Sequence, residues 1–456
     1  MCGFFLFYTN MKNILSHFRD VFWNNLIRDK STSLIKKPKE ELEYTRKRVM
    51  GIEQEYGLEG YSHEDWELKT SFPFIENGAK IYIDCNHPEY ASPETTNPLD
   101  AMIWDKAGEF IISKSLKRLK RKKLRFFKNN IDSAGNSYGT HENYCMIRRL
   151  LDKDKLYEAM TGSLTTRIIF TGNGSINKDG KFEISQKARS IDCEISTCTT
   201  QDRKPIVNTK DESLAGHDYY RFHVVSGDAN LSEPAIFLKM GTTALLLDLH
   251  EDGKLKNVPL QSPVKDFHRL SRNPKLTTKI KTDGKWLTAM EIQKLYYEQA
   301  ENTYRGRDSM TNEILDRWIN TLESLEEEPM QLSREIDWII KKNLIDAYTK
   351  KTEKKLYEPE VRNIDLQYHE VGKGLFYMLE EKEYVDRMVS DLDINYAIQN
   401  PPEDTRAWTR GNLISSKKIN EVRWHKIIMK NETKICIENP YKHTRDDNSL
   451  EDILNK

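Results

Sequence analysis

Two neighbouring segments decide the fold of this chain: GIEQEYG at residues 51–57 and NGAKIYIDCNHPEYASPE at residues 77–94. Side chains of a β-strand alternate between its two faces, so a strand through the first segment places Glu53 and Glu55 on the same face. A strand through the second segment has a polar face with Lys80, Tyr82 and Asp84 and an apolar face with Ile81 and Ile83. The two segments therefore predict strands with apolar backs and carboxylate-bearing fronts.

The predicted polar face suits a hard cation. Glu89 and Glu94 add two further carboxylates shortly after the second strand. Oxygen-rich clusters of this kind favour Mg²⁺ or Mn²⁺, which bind carboxylates and usually hold substrate phosphates as well. The alternative interpretation is a polar sheet surface with ordinary ion pairs.

Size and charge limit the class of protein. The 456 residues have room for a large domain and a smaller one. Lysines plus arginines and aspartates plus glutamates number 71 each, which argues against nucleic acid as the main partner because the chain has no overall basic field. The basic run SLKRLKRKKLR at 115–125 is interpreted as the solvated end of a helix.

Cysteine use and hydropathy favour a cytoplasmic protein without a membrane span. The six cysteines have no metal-binding spacing, and Cys85 is expected to be a buried reduced thiol. The longest apolar run, FFLFY at 4–8, is too short to cross a bilayer and lacks the basic start of a secretory signal.

Three regions are expected along the chain: an N-terminal extension over 1–46, a main domain over 47–390 and a small C-terminal domain over 391–456. Apolar residues recur with helical spacing over 12–28, which predicts an amphipathic helix, and a lysine-rich linker follows it. Four interpretations of the extension stay open: docking on the main domain, binding of a partner, contact with a membrane surface, or a true translation start at Met11.

The order of the predicted elements indicates an α+β fold. Asn97 and Pro98 are a strong N-cap and first helical residue for a helix that reaches about Lys120. Further strands are predicted at 124–129, 138–147, 165–171, 181–186, 220–226 and 234–239. Hairpin-type turns are predicted at 178–180 and 251–253, and helices at 287–304, 311–327, 333–351 and 374–390. Strands that precede helices favour α+β over a doubly wound sheet.

The two opening segments also belong to a longer series of motifs. The others are FKNNIDSAGNSYGTHENY (127–144), SQKARSID (185–192), KPIVNTKDE (204–212), YYRFHVVSGDANLSE (219–233), FLKMGTTALLLDL (237–249), IDLQYHEVGKGLF (364–376) and NPPEDTRAWTRG (400–411). In this order they closely resemble the Pup ligase and Pup deamidase/depupylase family, the bacterial proteasome accessory factors PafA and Dop. The resemblance runs from about Val49 to Trp424.

This resemblance implies a glutamine-synthetase-like carboxylate–amine ligase fold, in which ATP and Mg²⁺ lie on a curved antiparallel sheet that serves as a cradle. It implies metal-binding roles for Glu53, Tyr82 and Glu89, with the neutral phenol acting through water. It implies nucleotide-binding roles for Lys80, Ser92 and Trp424. Asp84 matches the catalytic aspartate and acts either as a general base or as a nucleophile.

Other residues are secondary candidates. His141 and Glu142 are possible metal or phosphate groups, but alternation puts them on opposite faces, so at most one is well aimed. Arg221 and His223 share a face and are equally well explained by a surface ion pair. No GxxxxGK[ST] loop and no GxGxxG motif after a strand is present, so nucleotide binding rests on the carboxylate-rich sheet alone.

The chain also departs from the family pattern. Lys80 and Lys210 stand where the family usually has arginine, which removes a bidentate donor. SLAGHD at 213–218 differs from the usual stretch after the DE pair, which affects substrate contacts more than metal binding.

Two reactions of this family fit the chain. HPEYASPE, GDANLSE and IDLQYHEV are more similar to the branch that hydrolyses a C-terminal glutamine amide, or the isopeptide link to lysine, on a Pup-like protein. The short stretch between Tyr56 and Asn77 and the segment IDWIIKKNL lean toward the ligases, which join the modifier's C-terminal glutamate to substrate lysines through an acyl phosphate. The amidase is the preferred interpretation, with the modifier, its conjugates and, indirectly, a bacterial proteasome as partners. A small-molecule carboxylate–amine ligase and a binding module without catalysis are further alternatives.

Overall fold

The computed structural model describes residues 42–59, 74–84, 87–118, 124–132, 135–198, 202–414 and 416–443. The predicted helix over 12–28 and Cys85 lie outside these residues. Within the described part of the chain, no helix combines the length and the apolar character that crossing a membrane requires.

The described elements are short strands and helices of varied length. The strands are β1 Met50–Glu55, β2 Gly57–Glu59, β3 Lys80–Asp84, β4 His87–Ala91, β5 Arg125–Phe127, β6 Thr140–Ile147, β7 Ser175–Ile176, β8 Phe182–Glu183, β9 Cys193–Ser196, β10 Pro205–Asn208, β11 Tyr219–Val224, β12 Lys279–Thr282, β13 Lys285–Thr288, β14 Ile419–Val422, β15 Lys426–Met429 and β16 Lys434–Cys436. The helices are α1 Pro98–Arg118, α2 Lys153–Thr166, α3 Ile168–Thr171, α4 Glu233–Glu251, α5 Pro263–Ser271, α6 Ala289–Tyr304, α7 Ser309–Glu327, α8 Asp337–Thr352, α9 Pro359–Tyr368, α10 Leu375–Glu381, α11 Asp391–Gln399 and α12 Arg406–Ile414.

The main sheet carries the two opening segments on adjacent strands. Among the described residues it has seven strands in the order β3-β4-β1-β6-β11-β10-β9. Neighbours are antiparallel except at one edge, where β9 and β10 are parallel. The predicted α+β class is confirmed. The prediction of a wholly antiparallel sheet is wrong at one edge, where two neighbouring strands are parallel.

The back of this sheet is apolar, as the alternation predicts. Met50 and Ile52 of β1 and Tyr144 of β6 are almost fully buried in one continuous core. Helix α1 contacts β1 and helix α4 contacts β6 on this side. Burial of these side chains fixes which face of the sheet is the front, because a slip of one residue would reverse every side chain.

Local capping explains where helix α1 begins. The Asn97 side-chain oxygen accepts a hydrogen bond from the Asp100 backbone N–H at 2.8 Å, and Pro98 occupies the first turn. The predicted N-cap is therefore confirmed. Free N–H groups at a helix start need such an acceptor.

Three local predictions are wrong. Residues 165–171 and 234–239 are helical, within α2–α3 and α4, because short apolar runs fit a buried helix as well as a strand. The turn at 251–253 ends helix α4 and makes no hairpin, with Gly253 at φ +67°. By contrast, the turn at 178–180 does join a hairpin, β7–β8.

Residues after 390 contribute to two packed regions. Ile394 and Ala397 of α11 belong to the main core, and α11 contacts α1. Strands β14–β16 form a separate small sheet whose core includes Phe74 and Leu413. The division of the chain at 390/391 stays a prediction.

Candidate active site

Pairing of the strands gathers the predicted site residues on the front of the sheet. Glu55 of β1 lies opposite Glu89 of β4, which lies opposite Tyr82 of β3. The Tyr82 hydroxyl donates a hydrogen bond to the Glu89 carboxylate. Two residues before Glu55 on β1, Glu53 lies opposite His141 of β6. Residues directly opposite one another in a sheet share a face, so these side chains are neighbours.

Three carboxylates form an acidic cluster at one end of this face. Single oxygens of Glu55, Asp84 and Glu89 all lie within 4.8 Å of one another. Burial raises the pKa of Glu89 well above its usual value, and repulsion from the Glu53, Glu55 and Asp84 charges raises it further. A buried group of carboxylates that repel one another fits a divalent cation with oxygen ligands, because the cation removes the repulsion.

An imidazole cluster lies next to the acidic cluster. Glu53, His141 and His223 offer ligand atoms within 4.8 Å of one another, and the His141 Nδ1 atom is 3.3 Å from the Glu53 carboxylate. Burial alone would raise the pKa of Glu53, but the hydrogen bond from His141 and the positive charge of Arg221 outweigh it and lower the pKa. Glu53 is therefore held as a carboxylate.

The tautomer of His223 follows from its neighbour. Arg221 can only donate hydrogen bonds, and its guanidinium lies 3.0 Å from His223 Nδ1, so that nitrogen is the acceptor and the proton sits on Nε2. Burial, followed by the charge of Arg221, lowers the pKa of His223 and keeps the ring neutral. Among the residues that the structure describes, His223 Nε2 and Arg221 Nε are buried without a hydrogen-bond partner, as is the Asn143 side-chain oxygen. Unpartnered buried donors on a sheet face fit phosphate oxygens.

The predicted metal-binding residues thus divide between two adjacent clusters. Glu89, with Tyr82 hydrogen-bonded to it, belongs to the acidic side, and Glu53 belongs to the imidazole side. The prediction missed Glu55 as a site residue. The sequence pattern already indicated this residue, because Glu55 lies two positions after Glu53 and a strand places both side chains on the same face.

Alternation separates His141 from Glu142 as predicted. His141 faces the site, whereas Glu142 lies behind the sheet and forms a buried ion pair with Arg167. Gly139 permits the close packing on the front: a Cβ atom there would lie 2.4 Å from His141 Nε2 and 2.5 Å from Glu55 Oε1.

A cavity of about 110 Å³ adjoins the imidazole cluster. Ser92, Trp424, Glu53 and Arg221 all line it, so two of the three predicted nucleotide-binding residues come together there. Lys80 is not among the described residues that line the cavity, and its ammonium lies 4.0 Å from the centre of the Tyr82 ring.

Contacts hold both ends of this cavity. The Ser92 hydroxyl accepts a hydrogen bond from the Ile52 backbone N–H at 2.9 Å. The Trp424 ring meets Phe74 edge to face and lies 4.7 Å from the Arg410 guanidinium. The Trp424 side chain is therefore placed by tertiary contacts with distant parts of the chain.

A second, larger groove has a volume of about 1200 Å³. The β7–β8 hairpin and the start of α9 supply much of its lining, together with Asn129. Asn129 accepts a hydrogen bond from Tyr138, whose ring stacks on His87 at 4.2 Å. Since His87 pairs with Asp84 across β3 and β4, the groove wall leads to the acidic cluster.

Comparison with known proteins gives consistent results. The family model described as Pup-ligase protein matches residues 60–428. The depupylase of Acidothermus cellulolyticus is 38% identical over 385 residues, covering 80% of this chain and 76% of that protein. The Pup–protein ligase of Acidimicrobium ferrooxidans is 35% identical over 410 residues, covering 82% of this chain and 90% of that protein.

Two solved structures have the same fold. The complex of the prokaryotic ubiquitin-like protein Pup with its ligase PafA matches with a TM-score of 0.80 at 29% identity, covering 91% of this chain and 93% of that chain. The Pup ligase PafA in complex with ADP matches with a TM-score of 0.76 at 30% identity, covering 86% and 91%.

Proposed function

The chain belongs to the Pup ligase family, and from this premise we propose that it is an amidase that acts on a Pup-like protein modifier. It hydrolyses the side-chain amide of a C-terminal glutamine on the modifier, or the isopeptide bond that joins the modifier to a lysine. ATP and Mg²⁺ are its bound cofactors.

One observation carries the choice of amidase over ligase. The relative named depupylase is 38% identical to this chain over 385 residues, against 35% over 410 residues for the relative named Pup–protein ligase. The segments HPEYASPE, GDANLSE and IDLQYHEV support the same branch. The ligase stays as the second candidate, because both solved structures compared above are of the ligase PafA.

The groove supports a protein substrate. A small-molecule carboxylate–amine ligase needs only a closed pocket at its reaction centre, whereas this chain has an open groove of about 1200 Å³ whose wall leads toward Asp84. Such a groove accommodates an extended polypeptide tail with its end at the acidic cluster. The related PafA was solved with a protein modifier bound.

The nucleotide and metal assignments rest on the donor types present. The cavity beside Ser92 and Trp424 suits a base, and the unpartnered donors of Arg221 and His223 suit phosphates. The carboxylates of Glu55 and Glu89, which lie beside Asp84, suit Mg²⁺. Bound Mg²⁺ would supply positive charge against the charge that develops on the reacting oxygens.

The protein's own groups supply the proton chemistry. Asp84 lies at the end of β3 beside Glu89 and acts as a general base toward water or attacks as a nucleophile. Both routes form a tetrahedral centre at the acyl carbon of the modifier's terminal side chain. The ionised Glu53 and the neutral His223 orient the cationic groups around that centre.

Intact-mass analysis tests the proposal. A Pup-like protein ending in glutamine is incubated with the enzyme, ATP and Mg²⁺, and a parallel reaction contains the glutamate-ended form with a lysine-bearing acceptor. Conversion of glutamine to glutamate, with no conjugate in the parallel reaction, is the expected result. A lysine conjugate made only from the glutamate form, with release of ADP, would make the chain a ligase.

A link to a bacterial proteasome and a cytoplasmic location stay predictions. A role as a binding module without catalysis is tested by Asp84→Asn, since a module would keep its cellular role in this variant. The amidase proposal expects that role to be lost.

A further inference from the structure

A buried lysine near the acidic cluster, Lys187, forms no ion pair with any residue that the structure describes. Lys187 is only 5% exposed, and its ammonium donates one hydrogen bond, to the Tyr138 carbonyl at 3.0 Å. Across the residues that the structure describes, no carboxylate lies within ion-pair distance of it. An ammonium has three N–H donors, and a buried charge without a partner costs several kcal/mol. Lys187 therefore has two donors left for a further group.

The residues around Lys187 connect the groove with the acidic cluster. Gln186 and Arg189, on either side of it in sequence, line the groove. The ammonium itself reaches the Tyr138 carbonyl, and the next residue, Gly139, packs against the Glu55 carboxylate. Burial lowers the pKa of Lys187 to about 8, and attraction to Glu55 opposes this effect. The ammonium thus lies between the groove and the acidic cluster.

The segment around Lys187 is held rigidly by one aspartate. Asp228 accepts hydrogen bonds from the Lys187 backbone N–H at 2.9 Å, from the Gln186 backbone N–H at 3.2 Å and from the Ser185 hydroxyl at 2.9 Å. Asp228 also accepts from the Asn173 backbone N–H. Its oxygens are therefore occupied, and they hold the lysine backbone in place, while the lysine ammonium forms no ion pair with the described residues. Rigid placement of a charged donor is what transition-state stabilisation requires.

We infer that the Lys187 ammonium is a catalytic group that binds the acyl oxygen of the substrate's terminal side chain and stabilises the negative charge formed there. This inference rests on the proposed function and adds a residue to it. In the general-base route, the oxygen of water bonds to the acyl carbon while Asp84 takes one of its protons. The carbonyl π pair moves onto the acyl oxygen, which becomes an anion beside Lys187.

The second half of the reaction restores the carbonyl. The electron pair on the acyl oxygen re-forms the C=O bond, the C–N bond breaks, and Asp84 returns its proton to the departing nitrogen. The products are a carboxylic acid, which ionises, and ammonia or the lysine amine. Lys187 keeps its proton throughout and acts by charge and hydrogen bonding alone.

The variant Lys187→Met separates this role from a structural one. Methionine has a similar length and no charge, and removal of an unpaired buried charge is expected to leave stability equal or higher. Loss of a donor to the oxyanion is expected to lower kcat by about 10²–10³-fold. Lys187→Arg keeps the cation and is expected to restore part of the rate. The matched control is Lys285→Met, an exposed lysine on β13, with wild-type kcat and melting temperature.

Two results would overturn the inference. One is a Lys187→Met protein with wild-type kcat. The other is a Lys187→Met protein whose melting temperature falls in step with activity while Lys187→Arg is equally inactive, because that pattern marks a packing residue.

A binding probe separates failure of this inference from failure of the proposed function. Glutarate, a dicarboxylate whose five-carbon chain matches that of the substrate's whole terminal residue, is expected to raise the melting temperature of the wild type and of Lys187→Arg but not of Lys187→Met, whereas ATP with Mg²⁺ raises all three. If the wild type neither hydrolyses nor conjugates the modifier, the proposed function is wrong, and the glutarate shift alone decides the role of Lys187. An equal glutarate shift in all three proteins overturns that role.

Discussion

Glu94 is expected to be the residue on which attachment of the Trp424 region depends most. Its carboxylate accepts hydrogen bonds from Arg406 Nε at 2.7 Å and from both terminal nitrogens of Arg410. Arg406 and Arg410 are on α12, and Arg410 contacts the Trp424 ring. The substitution Glu94→Gln leaves these two guanidinium groups buried without their counter-charge.

The size of the effect follows from two separate considerations. Burial alone would raise the pKa of Glu94, but the charges of Arg410 and Arg406 lower it to about 2 from 4.5. At about 1.4 kcal/mol per pKa unit, this corresponds to about 3 kcal/mol of stability at neutral pH. Breaking a buried ion pair by removing one partner typically costs about 3–5 kcal/mol. A loss of about 3 kcal/mol is therefore expected.

Urea unfolding at pH 7 measures this loss, and Glu421→Gln is the matched control because the Glu421 pair with Arg423 is exposed to solvent. The control is expected to unfold at the wild-type midpoint. The lowered pKa of Glu94 sets the pH dependence: its contribution is fully present above about pH 4.5 and is lost as the pH falls toward 2. Equal midpoints for Glu94→Gln and the wild type, or a difference that does not shrink in acid, would refute the reasoning.

Three further predictions concern the sheet face. Asp84→Ala is expected to abolish hydrolysis of the modifier while the ATP/Mg²⁺ thermal shift persists; retained turnover would contradict the role of Asp84. Glu53→Gln is expected to weaken that thermal shift, since it removes the carboxylate to which His141 and Arg221 are drawn; an undiminished shift counts against a metal-linked role. Glu55→Gln is expected to reduce the thermal shift caused by Mg²⁺ alone and to raise the melting temperature in EDTA, because one of three mutually repelling carboxylates is gone. Glu59→Gln, at a more exposed position of β2, is the control for this last variant, and equal behaviour of the two would contradict the acidic cluster as a cation site.

Local patterns in the sequence predict the site face well. Alternation along β1, β3 and β6 correctly separates front from back, down to the opposite orientations of His141 and Glu142. The N-cap at Asn97 is equally local. In each case the deciding pattern, strand alternation or a helix cap, lies within a few consecutive residues, so the sequence contains its own evidence.

Other features depend on contacts between distant parts of the chain. Short apolar runs at 165–171 and 234–239 became helices because burial on all sides suits either element. The grouping of Glu55 with Glu89 and Asp84 depends on strand register, which the sequence does not state. The burial of the Lys187 ammonium against the Tyr138 carbonyl and the pairing of Glu94 with α12 appear only once tertiary packing is known.

The most direct test of the account is release of free modifier from a purified lysine-linked conjugate. The conjugate is incubated with ATP, Mg²⁺ and either the wild type or Asp84→Ala, and released modifier and ADP are quantified together. The account predicts release by the wild type without a matching amount of ADP, and none by the variant. An intact conjugate, together with ADP formation when free glutamate-ended modifier and a lysine acceptor are supplied, would contradict it.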